Sequence, residues 1–259
     1  MGTASFDFSN TCTVITGGAS GIGLTCSEAV ASAGGNIIIS ASRNADKTQK
    51  AVDRIKKARA RQEQSVQVFP CEVGAEDSVK NFFDQIRQLN VRVDHVIHSA
   101  GISPNTNFFD QTQSEWDMVH NTNTTGAFLV VKYAGLLMQN NPLREDFRGK
   151  ILLVTSTNGI NSQDPVSAHY DSSKSAANML VRTSAEHLSE IQVCVNALAP
   201  GWINTELNAT LPPDVREKES SKIWMKRWAE PYEMARCALH LLTMPYLMGQ
   251  VVMADGGYR

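Results

Sequence analysis

The feature that most restricts the fold is an alternation of short, mostly apolar runs with helical stretches along the 259 residues. The runs fall at 14–15, 37–39, 66–69, 93–97, 151–154, 191–198 and 251–253 and are largely continuous, without strict polar–apolar alternation. A strand reads this way when both its faces are covered, as in parallel sheets flanked by helices. Between the first two runs, Ile22, Cys26, Ala29, Val30 and Ala33 recur on one face of a helix. That helix should stop at Gly34-Gly35, where a left-handed cap costs little. Strand–helix alternation calls for right-handed crossovers. The expected fold is therefore α/β: a single doubly wound parallel sheet of the Rossmann type, with helices on both faces. Repeats and linker-like shifts are absent, so residues 1–259 read as one domain. The polar segment 204–229, with Pro212-Pro213, Trp224 and Trp228, is expected to form a lid over a site. Two tryptophans anchoring a helix to the core is the alternative.

Composition excludes several classes of function. Hydrophobic residues make up 42% and charged residues 19%, enough apolar surface for a real core. A net charge of −2 gives no overall basic field, so neither nucleic acid nor membrane is expected as a partner. Residues 43–61 carry eight Lys or Arg against Asp46 and Asp53 but no interleaved aromatics, and read as a solvated helix face. The uncharged stretch 237–254 is broken by His240, Pro245, Gly249 and Gln250. A spanning helix needs about 20 mostly apolar residues, so a core helix followed by a strand is expected. Five scattered cysteines, with no CxxC and no Cys/His cluster, point to reduced thiols, no metal site and, with no targeting pattern at either end, a cytoplasmic location.

Chemistry concentrates in three places. Thr16-Gly17-Gly18-Ala19-Ser20-Gly21-Ile22-Gly23 lies between the first strand and the first helix. Glycines there permit a tight turn and close backbone approach, and the helix N-terminus offers N–H groups to a pyrophosphate. Tyr170-Asp171-Ser172-Ser173-Lys174 puts a phenol and an ammonium on one helix face. A free phenol titrates near ~10; a neighbouring ammonium is expected to lower that value and suit Tyr170 to acid–base work. Thr155-Ser156-Thr157 ends a strand where open parallel sheets place ligands, and a hydroxyl there can donate to a carbonyl oxygen.

The spacing Gly-x3-Gly-x-Gly, with Tyr-x3-Lys following, resembles the short-chain dehydrogenase/reductase family from about residue 11 to 257. The resemblance implies a catalytic set of Asn123, Ser156, Tyr170 and Lys174. Ser156 is chosen over Thr155 and Thr157 because Gly149-Lys150-Ile151 leads to it in the family's register. Asn123 is chosen over Asn121 by the register of Gly126, at a point where family members distort a long helix. The resemblance also implies a nicotinamide dinucleotide held by Gly17, Ser20, Gly21, Ile22, Gly23, Glu72, Val73, Ser99, Ala100, Gly101, Pro200, Gly201, Ile203 and Thr205, together with Tyr170 and Lys174. Two departures stand out. His98-Ser99 replaces the family's usual Asn-Asn before Ala100-Gly101, with His98 expected to bond structurally between strands, and Glu72 stands where Asp is common.

The second strand ends in Ser42-Arg43, with no acidic residue to bond the ribose hydroxyls. A guanidinium matches phosphate geometry, so NADP(H) is the expected cofactor, read by Ser42 and Arg43. Motif flavour around Gly149 and Arg227 is similar to 3-oxoacyl-carrier-protein reductases. The expected activity is hydride transfer between NADP(H) and a carbonyl or secondary alcohol, plausibly of a 3-oxoacyl thioester. Sugar, steroid and small secondary-alcohol dehydrogenases share every motif, and a non-catalytic NADP-binding sensor would keep the glycine loop but need not keep Asn123, Ser156, Tyr170 and Lys174 together. Family members commonly pair two helices between subunits, so a homotetramer is expected through residues 114–140 and 168–187. There Met118, Thr122, Thr125, Leu129 and Tyr133, and Ala176, Ala177, Leu180 and Ala185, supply apolar or small side chains.

Overall fold

The computed structural model describes residues 6–41, 44–161, 166–209 and 211–258. In chain order the elements are β1 (Cys12–Thr16), α1 (Gly21–Ser32), β2 (Asn36–Ala41), α2 (Ala45–Ala58), β3 (Val66–Pro70), α3 (Glu76–Gln88) and β4 (His95–His98). There follow α4 (Gln113–His120), a π-helical turn (Asn121–Thr125), α5 (Gly126–Met138), β5 (Gly149–Val154), α6 (Asn158–Asn161), α7 (Ala168–Glu190), β6 (Val193–Pro200), α8 (Pro213–Lys222), α9 (Pro231–Thr243) and β7 (Val251–Ala254).

The strands form one seven-stranded sheet in the order β3-β2-β1-β4-β5-β6-β7, parallel throughout. Successive strand side chains point to opposite faces, and both faces are covered. Val14, Ile38, Val96, Ile151 and Leu153 pack under α3, α5 and α7. Their neighbours Ile15, Ile37, Ile39, Ile97, Leu152 and Val154 pack under α1, α2 and α9. Two-sided burial is the physical reason that the strand sequences run apolar without alternating.

Strand order reverses between β1 and β4, which opens a crevice at their carboxyl ends. Gly34 closes α1 with φ +95°, the left-handed geometry expected there. The basic run is the solvated face of α2, whose Ala51, Val52 and Ile55 are buried. Two strands begin later than their apolar runs suggest. At β4, the Asp94 carboxylate accepts from Cys12 N at 3.0 Å and pairs with Arg92 and Arg144, which sets Asp94 to capping the amino end of β1. At β6, Ile191 still caps α7, and Gln192 takes φ +56° to turn the chain. Among the described residues no helix is long and apolar enough to cross a membrane, and no group of three or more His, Cys, Asp or Glu is placed to hold a metal ion.

Candidate active site

A cavity of about 430 Å³ opens at the carboxyl ends of the central strands. One wall is the turn into α1. Gly17 (φ +67°) and Gly21 (φ +51°) adopt left-handed conformations. A Cβ on Gly17 would stand 2.7 Å from Ala100 N, and one on Gly23 would stand 2.3 Å from Gly17 O. Gly17, Gly23 and Ala100 thus let β1, α1 and the end of β4 close on one another. Ser20, Gly21 and Ile22 line the cavity itself. Ser20 is the N-cap of α1 and makes no side-chain cap bond, which leaves first-turn N–H groups facing the crevice. The opposite edge is the end of β6, where Pro200, Gly201, Ile203 and Thr205 line the cavity, with Ser99 and Gly101 below.

Tyr170, Lys174 and Ser156 meet on the far side of the same cavity. Lys174, 6% exposed, lies with its Nζ 5.6 Å from the Tyr170 ring centroid and donates to Val154 O at 3.2 Å. The Ser156 hydroxyl accepts from Asn158 N at 3.1 Å and also bonds the Tyr170 side chain. The electrostatics correct the sequence expectation. Burial pushes the Tyr170 phenol up to about 12, and the group that works against this is Ser156 rather than Lys174. Burial likewise brings Lys174 down to about 8. Loss of hydration penalises whichever charged form each group has.

Asn123 sits in the π-helical turn, where its side chain ties the turn to the neighbouring loop and to α7. Its Oδ1 accepts from Ile102 N at 2.9 Å, while its Nδ2 donates to Ile102 O at 2.9 Å and Ser173 Oγ at 3.0 Å. A Cβ on Gly101 would stand 3.2 Å from Asn123 Oδ1 and 3.4 Å from Lys174 Nζ, so the two polar ends converge over that glycine. His98 is buried with its Nδ1 2.7 Å from Thr16 Oγ1, a bond between β4 and β1. Burial, reinforced by the Lys174 charge, pushes His98 down to about 3 and keeps it neutral.

Among the described residues, five expected cofactor residues do not line the cavity: Gly17, Gly23 and Ala100 pack against one another behind the glycine turn, and Glu72 and Val73 lie elsewhere. Val73 is buried against Gly126 in the core, and Glu72 is exposed, its backbone N–H donating to Ser78 Oγ at 2.8 Å. Ser42 and Arg43 lie outside the described residues. The segment 204–229 contributes Thr205, Glu206, Leu207, Asn208 and Leu211 to the cavity wall. Its two tryptophans divide the earlier alternatives. Trp228 is buried and stacks on Trp202 with centroids 4.9 Å apart, whereas Trp224 is 61% exposed beside Gly257. Sequence reading missed Lys47, whose Nζ lies 2.5 Å from Glu206 Oε2 across the cavity mouth, because nothing local marks it among the eight basic residues of 43–61. It also missed Ser173, which bridges Asn123 to Tyr170 O (2.7 Å) from within the Tyr-x3-Lys stretch itself.

A strand-order switch, a glycine turn that lets backbones close, and a group of buried Ser156 and Lys174 around half-buried Tyr170 define a class of nicotinamide-dependent oxidoreductases. Residues 17–259 match the family described as Enoyl-(Acyl carrier protein) reductase. The 3-oxoacyl-[acyl-carrier-protein] reductase of Thermotoga maritima is 30% identical over 250 residues, covering 94% of this chain and 96% of the relative. A short-chain type dehydrogenase/reductase from Mycobacterium marinum superposes with TM-score 0.88 at 29% identity, covering 98% of this chain and 97% of that one. A 3-oxoacyl-[acyl-carrier protein] reductase from Brucella melitensis gives TM-score 0.85 at 26% identity, with 97% and 92% covered. This chain belongs to the short-chain dehydrogenase/reductase family. The family implies a nicotinamide cofactor, and the glycine cradle with its free α1 N–H groups fits one.

Proposed function

We propose that the protein is a cytoplasmic NADP(H)-dependent reductase acting on the carbonyl of a 3-oxoacyl thioester. The observation that carries this reading is the meeting of the Ser156, Tyr170 and Lys174 side chains in one cavity with the glycine turn. Gly21, Ile22, Pro200, Gly201 and Thr205 would hold the dinucleotide along that wall. When bound, the nicotinamide supplies hydride to the carbonyl carbon or removes it in the reverse direction.

The protein's own groups then handle the oxygen. Tyr170, with its pKa held at about 12, keeps its proton at neutral pH and presents it to the carbonyl oxygen as negative charge develops there. Ser156 donates a second hydrogen bond to that oxygen. Lys174 at about 8 still carries its charge at neutral pH, and its Nζ, 5.6 Å from the Tyr170 ring centroid, favours the negative charge left on Tyr170 when the proton goes to the substrate oxygen. Asn123 fixes the chain at Ile102, next to the glycine over which its Oδ1 and Lys174 Nζ converge.

Relatives named as 3-oxoacyl reductases over nearly the whole length support the thioester. The test is a rate screen with NADPH and NADH against acetoacetyl thioesters, 2-enoyl thioesters, sugars, steroids and small ketones. Reduction of the 3-oxo group with preference for NADPH is expected; turnover of the enoyl thioester alone would overturn the reading. NADPH preference is assigned to Arg43. Arg43→Ala should weaken NADPH roughly ten- to a hundredfold, the loss of a charge-assisted bond, and leave NADH little changed. Titration by protein fluorescence checks this, and equal losses would contradict it.

A further inference from the structure

The cavity holds a second buried hydroxyl that the proton transfer does not use. Ser167 is the N-cap residue of α7, with φ −127° and ψ 21°. Serine at this position ordinarily accepts a bond from the first free N–H groups of its helix. Ser167 makes no such bond. It is 4% exposed, its Oγ has no hydrogen-bond partner, and it lines the cavity that contains Ser156 and Tyr170. Its backbone is committed, since Ser167 O accepts from Asp171 N at 2.8 Å. The side chain alone is left over.

The other serines near this end of α7 are occupied within the protein. Ser172 Oγ donates to Ala168 O at 2.7 Å, Ser173 Oγ to Tyr170 O at 2.7 Å and Ser175 Oγ to Gly159 O at 2.9 Å. A buried hydroxyl without a partner is destabilising, and such an exception in a native fold calls for a reason. Ser167 borders the cavity, and rotation about a single staggered bond redirects its hydroxyl.

We propose that Ser167 is a specificity-determining residue whose hydroxyl bonds a second oxygen of the substrate, a few atoms from the reacting carbonyl. This rests on the reading of Tyr170 as proton donor to a carbonyl. A 3-oxoacyl thioester carries such an oxygen in its thioester carbonyl, and a hydroxyketone carries one in its alcohol. A site built to bond a substrate oxygen discriminates strongly against an analogue without it, because its own polar group is then left unpaired.

The experiment compares kcat/KM of wild type and Ser167→Ala on acetoacetyl-CoA, 4-hydroxy-2-butanone and 2-pentanone, with Tm measured alongside. Wild type should prefer one or both oxygenated substrates, and which one it prefers identifies the source of the second oxygen. Ser167→Ala should lose at least tenfold on the preferred substrate, leave 2-pentanone at its wild-type level, and keep or raise its Tm, since no cap bond is lost and an unpartnered hydroxyl is removed. An unchanged rate on the oxygenated substrates would overturn the proposal. Equal loss on all three, or a fall in Tm, would make Ser167 a structural residue and leave the reductase reading standing. Failure of wild type to reduce any carbonyl would defeat that reading and the proposal together.

Discussion

Tyr170 and Lys174 owe their protonation behaviour to burial more than to each other. With Tyr170 near 12 and Lys174 near 8, only the lysine titrates in the accessible alkaline range. The kcat/KM for the dinucleotide reports groups of the free enzyme. It should stay level at neutral pH and fall as the pH rises through about 8, where Lys174 sheds its proton. The direction follows because the charged lysine is the working form and lies on the acid side of its pKa. Initial rates across the range from about pH 6 to about pH 10 check this, and a profile level to the alkaline end would contradict the role given to Lys174. His98 should contribute nothing to this profile, being neutral throughout.

At the scale of elements, the site depends on two close approaches. The first is α1 against β1, where Gly23 faces Gly17 O. Gly23→Ala would force the helix away from the turn, an overpacking that typically costs about 1–3 kcal/mol. A fall in Tm together with weakened dinucleotide binding is the expected outcome, by thermal melts and titration. The second is the π-helical turn clamped to Ile102 by Asn123. Asn123→Ala leaves the Ile102 N–H and C=O without their partner, a loss of roughly 1–3 kcal/mol where such groups are buried. We expect lower stability and a kcat reduced at least tenfold. Asn123→Ser with unchanged Tm and kcat would show that the clamp is dispensable.

The elements themselves were legible in the sequence because two-sided burial writes continuous apolar strands and glycine marks the turns. Tyr170 and Lys174 were legible because an i, i+4 pair shares one helix face, whereas Ser156 was separated from Thr155 and Thr157 only by resemblance to the family. Less was readable where a partner distant in sequence decides the outcome. Asp94 looked like part of a strand run until Cys12, Arg92 and Arg144 engaged it. Ser167 is one serine among many, and only its failure to find a partner in three dimensions distinguishes it.

For the whole molecule, the expected subunit stripe needs revision. Leu129 is 3% exposed and Ala177 is buried, so both belong to the core. The outward line keeps Thr125 at the end of the π-helical turn and continues on α5 through Phe128, Lys132 and Leu136, and α7 presents Met179. We propose that these faces pair in a homotetramer, in keeping with the closed symmetry usual for oligomers. Light scattering should give four times the 28.4 kDa of one chain. Phe128→Glu with Leu136→Glu should reduce that mass; a wild-type mass equal to one chain would refute the assembly. The segment 204–229 is proposed to close over bound substrate, with the Lys47–Glu206 pair joining it to α2.

The central claim is that Tyr170 delivers the proton that completes carbonyl reduction. It is tested most directly by single-turnover reduction of acetoacetyl-CoA with enzyme-bound NADPH, comparing wild type with Tyr170→Phe and measuring NADPH affinity for both. Phenylalanine keeps the ring and removes only the acid. The account predicts that hydride transfer disappears while NADPH affinity stays within about threefold, since uniform binding is untouched. A Tyr170→Phe enzyme that retains more than about a tenth of the wild-type rate would contradict it.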